Sequence, residues 1–138
     1  MIETTPYLAY LCARDTIGGR WPKGEPAIAT DPELAYAYAK DVIGGRWPEG
    51  EPAIARDPHV AYIYATNTIQ GRFPEAEATI ATDPVWAYNY TLNVIGGRWP
   101  EGEEAISTHP RLAKDYLKAF PEAKLEWAMN GLMDWTDL

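Results

Sequence analysis

The chain has 138 residues, of which 46% are hydrophobic, and its formal net charge is −8 at pH 7. This charge disfavours direct binding to nucleic acids or anionic membranes, because both select cationic surfaces. Cys12 is the only cysteine, so the chain can form neither a disulfide framework nor a thiolate metal cluster of its own.

The chain is organised by a motif that occurs four times. Its second copy, Gly-Gly-Arg-Trp-Pro-Glu-Gly-Glu, spans residues 44–51, and the arginines of the four copies lie 26 residues apart at Arg20, Arg46, Arg72 and Arg98. A fixed period of this length is typical of repeat proteins, in which each unit is one supersecondary element that stacks on its neighbours. The repeat therefore predicts the fold more strongly than any local motif does.

Each unit is predicted to begin with a long helix, helix A. It starts at a proline, usually behind an aspartate that can cap the helix, as at Asp31-Pro32. In the second unit it runs to Ile43, where a Gly-Gly pair ends it, because glycine readily adopts the left-handed conformation of a helix C-cap. The third unit has Gln70-Gly71 at this point, which predicts that the second glycine is the one the helix end requires.

A shorter helix, helix B, is predicted to follow each Arg-Trp, roughly from Pro48 to Ala55 in the second unit. The fifth unit departs from this pattern. Pro110 begins a helix A, but Gly-Gly-Arg is missing and Phe120-Pro121 follows early. The residues from Lys124 to Met133 are predicted to form an amphipathic helix that covers the last exposed core, as the end of a solenoid requires.

These patterns predict an all-α fold, an α-solenoid of about five helix-pair repeats with a 26-residue period and a C-terminal capping helix. The hand of the solenoid stays open. We expect one domain, residues 1–138. The repeats are predicted at residues 6–31, 32–57, 58–83 and 84–109, with a degenerate repeat and the cap at 110–138.

One face of helix A is predicted to stay outside the stack. When the proline of each unit is position zero, positions three, four, seven and eleven repeat as Ala, Tyr, a small residue and Ile, which indicates packing between neighbouring helices. Positions one, five and eight fall on one side of a helical wheel, and their residues differ between units. They form either ordinary solvated surface or a partner-binding strip. The residues predicted to bind a partner are Tyr7, Leu11, Ile63, Val85, Asn89 and Leu92.

The repeated charged residues are more typical of architecture than of chemistry. Each motif arginine is followed five residues later by a glutamate, so the two can pair within a unit or between units. A row of Arg and Trp presented to anionic ligands is the alternative. Position nine is Asp15, Asp41, Asn67 and Asn93, which predicts a side-chain hydrogen-bond acceptor. We find no motif for a catalytic, cofactor or metal site, and therefore expect no enzyme.

The unit written by residues 31–51, Asp-Pro-x-x-Ala-Tyr-x-Tyr-Ala-x-Asp-Val-Ile-x-Gly-Arg-Trp-Pro-Glu-x-Glu, resembles tandem repeats in proteins encoded by tailed phages and giant viruses. The resemblance covers about Pro6 to Phe120 and carries no catalytic residues. It implies a virus-encoded helical accessory protein that acts in the host cytoplasm by binding a host factor.

The expected function is a non-enzymatic protein-interaction module. The alternatives are a structural component whose strip serves self-association, and an acidic nucleic-acid mimic that blocks a nucleic-acid-binding host enzyme. No apolar run approaches the ~18 residues of a membrane span, and no basic segment precedes an apolar one as in a signal peptide. A cytoplasmic location without membrane contact is therefore expected.

Overall fold

The structure, a computed structural model, describes residues 5–134 and 136. These residues form helices and no β-strand, which confirms the predicted all-α class. Residues 1–4, 135, 137 and 138 of the predicted domain lie outside the described residues. In chain order the α-helices are α1 (Pro6–Leu11), α2 (Glu25–Ile28), α3 (Pro32–Tyr38), α4 (Glu51–Ile54), α5 (Pro58–Tyr64), α6 (Pro74–Ile80), α7 (Pro84–Tyr90), α8 (Pro100–Ser107), α9 (Pro110–Ala119) and α10 (Ala123–Met129).

The odd-numbered helices are helices A, and they stack in sequence. Helix α1 packs on α3, α3 on α5, α5 on α7 and α7 on α9. Helices α2, α4, α6 and α8 each contact both the helix A of their own unit and the next one. This is the predicted helical-repeat solenoid. The small residue at position three lets the A helices approach closely, since Ala9, Ala35, Ala61 and Ala87 are all fully buried.

Helices A begin as the sequence predicts, at a proline behind a capping side chain. Asp31 Oδ1 accepts a hydrogen bond from the backbone N–H of Leu34 at 3.0 Å. In the fifth unit His109 replaces the aspartate, and its Nδ1 accepts from the N–H of Leu112 at 3.3 Å. Each cap satisfies one of the backbone donors that a helix N-terminus leaves free.

Helices A of the first four units end in a wider π-helical turn, which the sequence pattern did not predict. The π-helical segments are Cys12–Ile17, Ala39–Ile43, Ala65–Ile69 and Thr91–Ile95. In the second unit the N–H groups of Gly44 and Gly45 both bind the carbonyl of Ala39, at 2.7 and 3.1 Å. The sharing of one carbonyl by two successive donors closes the helix in a C-capping arrangement.

The prediction that the second glycine is the one required is wrong. The left-handed residue is the first of the pair in every unit: Gly44 has φ 79°, and Gln70 takes the same conformation with φ 59°. The second residue of the pair does not have a positive φ in any of the four units. The third unit therefore holds a side chain in a conformation that favours glycine, at the point where the N–H groups of Gln70 and Gly71 both bind the carbonyl of Ala65.

We expect Gln70→Gly to stabilise the protein by about 0.5–1 kcal/mol, because glycine adopts a positive φ without the steric cost that Gln70 bears. Urea denaturation of both proteins measures this difference. The converse change, Gly44→Gln, should destabilise the second unit. Equal stability of Gln70→Gly and the parent protein would contradict the assignment.

The motif aromatic residue packs against the residue three positions after it, and the sizes of these two residues are complementary. Helix α4 begins at Glu51, after a turn over residues 48–50, and is shorter than predicted; α6 and α8 begin at the proline itself. Trp47 is fully buried. A Cβ on Gly50 would lie 2.3 Å from Trp47 Cε3, so this position has room for glycine alone. In the third unit the aromatic residue is the smaller Phe73, and the residue three positions after it is Ala76.

We expect Gly50→Ala to cost about 1–3 kcal/mol, because the added methyl group overlaps the Trp47 ring. The double variant Trp47→Phe with Gly50→Ala reproduces the pair that the third unit uses. It should therefore be more stable than the sum of the two single changes predicts, by about 1 kcal/mol. A double-mutant cycle in urea tests this, and additive effects would refute the size match.

The fifth unit ends the stack with the helix that the sequence predicts as a cap. Helix α10 is shorter than predicted, and the chain after it turns at Gly131, which has φ 75°. Trp127 of α10 is buried, its ring is stacked on Tyr116 with centroids 5.3 Å apart, and its Nε1 donates to Glu103 Oε1 at 2.9 Å. The cap therefore covers the carboxylate and the tyrosine of the last complete junction between units.

Candidate functional site

The repeated arginine and glutamate form one part of a cluster that joins neighbouring units. In the second unit Arg46 holds Glu51 through two hydrogen bonds, both 2.9 Å long. The hydroxyl of Tyr64, from the third unit, donates to Glu51 Oε2 at 2.6 Å and accepts from the backbone N–H of Trp47 at 2.9 Å. The Tyr64 ring packs on Phe73 of its own unit, with centroids 5.4 Å apart.

We call this cluster the tyrosine junction, and it occurs four times. Each copy contains a motif arginine, the glutamate five residues later, the backbone N–H after the arginine, and a tyrosine of the next helix A. The tyrosines are Tyr38, Tyr64, Tyr90 and Tyr116. The predicted Arg–Glu pair thus lies within a unit, and the tyrosine connects each unit to the next; Arg98 also reaches the fifth unit, where its Nη1 donates to Glu126 Oε2 at 3.1 Å. Cys12 stands at the same position of the first helix A.

The electrostatics of the tyrosine junction fit a structural role. Hydrogen bonds from Arg72 outweigh the effect of burial and lower the pKa of Glu77 below its ordinary value of 4.5. Burial, and next the hydrogen bond to Glu51, raises the pKa of Tyr64 to about 12. The glutamate is therefore ionised and the tyrosine neutral near pH 7. Each is bound to fixed partners, so neither is poised to exchange a proton near neutral pH.

A second set of hydrogen bonds links helices A through position nine. The Tyr10 hydroxyl donates to Asp41 Oδ2 at 2.5 Å. The Nδ2 groups of two asparagines are instead the donors, to the hydroxyls of preceding tyrosines, in the pairs Asn67–Tyr36 (3.3 Å) and Asn93–Tyr62 (2.8 Å). The predicted acceptor is thus found in Asp41, and Asn67 Oδ1 accepts from the Thr66 hydroxyl at 3.5 Å, but both asparagines also donate to a tyrosine, which the sequence did not predict. Asp and Asn exchange here because a tyrosine hydroxyl can both donate and accept.

The outer strip, defined as positions one, five and eight of helices A, lies where the wheel predicts. None of its residues is buried in the described structure. Of the residues predicted to bind a partner, Tyr7 is 58% exposed, Val85 and Leu92 are each 41% exposed, and Leu11, Ile63 and Asn89 are half-buried. The Asn89 side chain donates to the Val85 carbonyl at 2.9 Å and so lies along its own helix.

The predicted partner-binding residues fall into two groups. Val85, Asn89 and Leu92 follow one another on α7 and the π-turn after it, and Ile63 lies on the adjacent helix α5. Tyr7 and Leu11 lie on α1, which is separated from α5 by α3. The structure therefore brings four of the six residues onto neighbouring helices and leaves the other two at the first helix.

A groove at the last unit is a second candidate site, which the sequence reasoning did not identify. Its volume is about 590 Å³, and it lies between α9, α10 and the residues after α10. We call it the terminal groove. Its apolar lining consists of Ala113, Leu117, Trp127, Leu132 and Met133, and its polar lining consists of Lys114, Lys118 and Lys124.

The signal for the terminal groove is present in the repeat alignment. Lys114 stands at position four, where the other units have tyrosine. Lys124 stands where Glu77 does when Phe120-Pro121 is aligned with Phe73-Pro74. Both are changes to a cation in an acidic chain, and they become meaningful once the structure shows that they line one groove.

Within residues 5–134 and 136, no group of His, Cys, Asp or Glu side chains could hold a metal ion. None of the described helices combines the length and apolar character that crossing a membrane requires. Comparison of the chain with protein-family models, curated proteins and solved structures finds no match. The resemblance to virus-encoded repeats therefore stays a hypothesis.

We expect Glu51→Gln to destabilise the protein by about 2 kcal/mol at neutral pH, because it removes the charged partner of Arg46 and Tyr64. Burial raises the pKa of Glu51, but the hydrogen bonds from Arg46 and Tyr64 together bring it below 4.5. The unfolded chain then binds more protons, so this stabilisation is complete above pH 4.5 and is lost as the pH falls through the lowered pKa.

The measurement is urea denaturation at about pH 7 and about pH 4. Glu51→Gln should lose less stability than the parent protein between these two values. Glu49→Gln is the matched control, because Glu49 is exposed and lies outside the tyrosine junction. An unchanged pH dependence in Glu51→Gln would contradict the proposed role of the junction.

Proposed function

We propose that this chain is a non-enzymatic protein-binding module whose partner contacts the outer strip around α7. The observation that carries the proposal is the exposure of Val85 and Leu92, each 41%, on a helix whose stacking positions Ala87 and Tyr90 are fully buried. Val85, Asn89 and Leu92 are spaced i, i+4 and i+7, so they form one continuous ridge. Stacking accounts for the buried positions but leaves this ridge unexplained.

The surroundings of the ridge indicate the kind of partner. Its neighbour Trp86 is stacked on His59 of α5 with ring centroids 4.4 Å apart, and it also packs on Tyr62. An aromatic surface therefore borders the apolar ridge, and Ile63 lies on the adjacent helix. Aromatic and aliphatic groups that are exposed together are typical anchors of protein interfaces. The partner that fits is a protein with an apolar helix or ridge of its own.

Differences between units support the use of this strip for recognition. The residues of the tyrosine junction repeat because every junction makes the same contacts between neighbouring units. The outer strip carries Glu33, Ala37 and Lys40 in the second unit, whereas the fourth unit has the apolar ridge. A partner can thus be recognised by one region of an otherwise regular surface. The resemblance to virus-encoded repeats supports a host protein as the partner and the host cytoplasm as the location.

The test replaces Leu92, and separately Val85, with a photo-crosslinking amino acid in the cells that express the protein. The expected result is one protein crosslinked from both positions. The purified partner should bind the parent chain in calorimetry, and Val85→Glu with Leu92→Glu should weaken binding at least ~100-fold, since charges buried at an apolar contact are costly. Helical content and the melting temperature should stay nearly unchanged.

The matched control is Ala78→Glu with Thr82→Glu, which adds the same charge. Both positions are exposed, the first within α6 and the second just after it. It should bind the partner as the parent does. Equal loss of binding in both double variants would show that charge, and not the ridge, governs recognition.

The two alternatives predict different results. Self-association through the strip predicts crosslinks between copies of this chain and a mass that rises with concentration in light scattering. A nucleic-acid mimic predicts a nucleic-acid-binding partner whose affinity falls steeply with salt. Glu49, Glu75 and Glu101, exposed at equivalent positions of successive units, would supply the mimic's row of carboxylates.

A further inference from the structure

We propose that the terminal groove binds an amphipathic helix that carries carboxylates, in the place where a further helix A would stack. The inference rests on the repeat geometry and on charge. It is independent of the outer strip, because the groove lies at the end of the stack and shares only Lys118 with the strip positions.

The groove occupies the stacking site that the next unit fills elsewhere in the chain. Ala113 and Leu117, at positions three and seven of α9, line it. In preceding units positions three and seven include Ala35 and Ala39, which are fully buried in the helical stack. Ala113 is only half-buried, whereas the alanines at position three of the earlier helices A are fully buried, so the terminal groove lies on the face by which an earlier helix A stacks on the next one.

The two polar anchors of that contact are changed to cations in the fifth unit. In the first three units, position four is a tyrosine that binds position nine of the following helix A, as Tyr10 binds Asp41. The motif glutamate meets position six of the following helix, as Glu25 meets Tyr38 at 2.6 Å. In the terminal groove these anchors are Lys114 and Lys124. A helix that docks in the same register would need carboxylates at positions six and nine.

The charge of the rest of the chain strengthens this requirement. The motif arginines are each paired with a glutamate, so they contribute little free positive charge. Lys114, Lys118 and Lys124 are paired with no carboxylate within the described part of the chain. A chain of net charge −8 thus concentrates unpaired lysines around one apolar groove. Carboxylates on the occupant would neutralise them, and its apolar face would cover the half-buried Ala113, Leu132 and Met133.

The probe is a labelled synthetic peptide with the sequence of residues 31–45 of this chain, in which Tyr38→Glu supplies the carboxylate at position six. Asp41 already supplies the one at position nine. The control peptide carries lysine at both positions. Fluorescence anisotropy should show that the parent protein binds the acidic peptide at least ~10-fold more tightly than the lysine peptide, with a difference that shrinks at high salt.

Charge reversal of the groove provides the matched protein variant. Lys114→Glu with Lys124→Glu should invert the preference, so that the lysine peptide binds more tightly than the acidic one. Circular dichroism checks that this variant is folded, and Lys118→Glu, at an exposed position, serves as a milder second variant that should weaken acidic-peptide binding. Val85→Glu with Leu92→Glu should bind the acidic peptide normally, which separates this site from the outer strip.

Three results would overturn the proposal. The first is equal binding of the acidic and lysine peptides by the parent protein. The second is a dimer, seen in light scattering, that Lys114→Glu disrupts, because the groove would then belong to a second copy. The third is displacement of the acidic peptide by laurate at concentrations below those of the peptide, because the groove would then be a site for an apolar carboxylate and not for a helix.

Discussion

The structure depends on one hydroxyl group in each junction. The oxygen of Tyr64 accepts the N–H of Trp47 and donates to Glu51, which Arg46 holds in place. Since the tyrosine belongs to one unit and its partners to the previous one, the contact requires both units to keep the same geometry. A buried donor or acceptor that loses its partner costs more than the bond itself contributes. This asymmetry explains why arginine, glutamate and tyrosine recur together, and why the fifth unit, which lacks the motif arginine, also lacks the glutamate.

Much of the fold could be predicted because the repeat superimposes five versions of one unit. The helix starts, the buried alanines and the Arg–Glu pair all follow from residues that recur with known chemistry. Two features could not be predicted. Which of two adjacent glycines is left-handed depends on the π-turn, which shifts the helix end without changing the sequence pattern. The direction of the Asn67–Tyr36 bond depends on tyrosine, which accepts as readily as it donates.

The candidate sites differ in how visible they are in the sequence. The ridge formed by Val85 and Leu92 appears as variation on a helix face that stacking leaves free, so a helical wheel finds it. The terminal groove is harder to find, because only Lys114 keeps the 26-residue register and the shortened fifth unit shifts Lys124 out of it. Its lysines look like ordinary surface residues until α9 and α10 place them around Leu117 and Trp127. A periodic sequence pattern does not predict which residues pack together in a unit that departs from the period.

The tyrosine junctions also determine where charge is available for binding. By pairing the four motif arginines with glutamates, they neutralise half of the eight lysines and arginines of the first four units. Exposed glutamates of helices B add negative charge along the array, whereas three lysines of the fifth unit line the terminal groove. An acidic helix would be repelled by the exposed glutamates and attracted by these lysines over about 8 Å, the screening length at physiological salt. The pairing that holds the repeats together thus leaves the lysines of the terminal groove as the attractive site that we propose for an acidic helix.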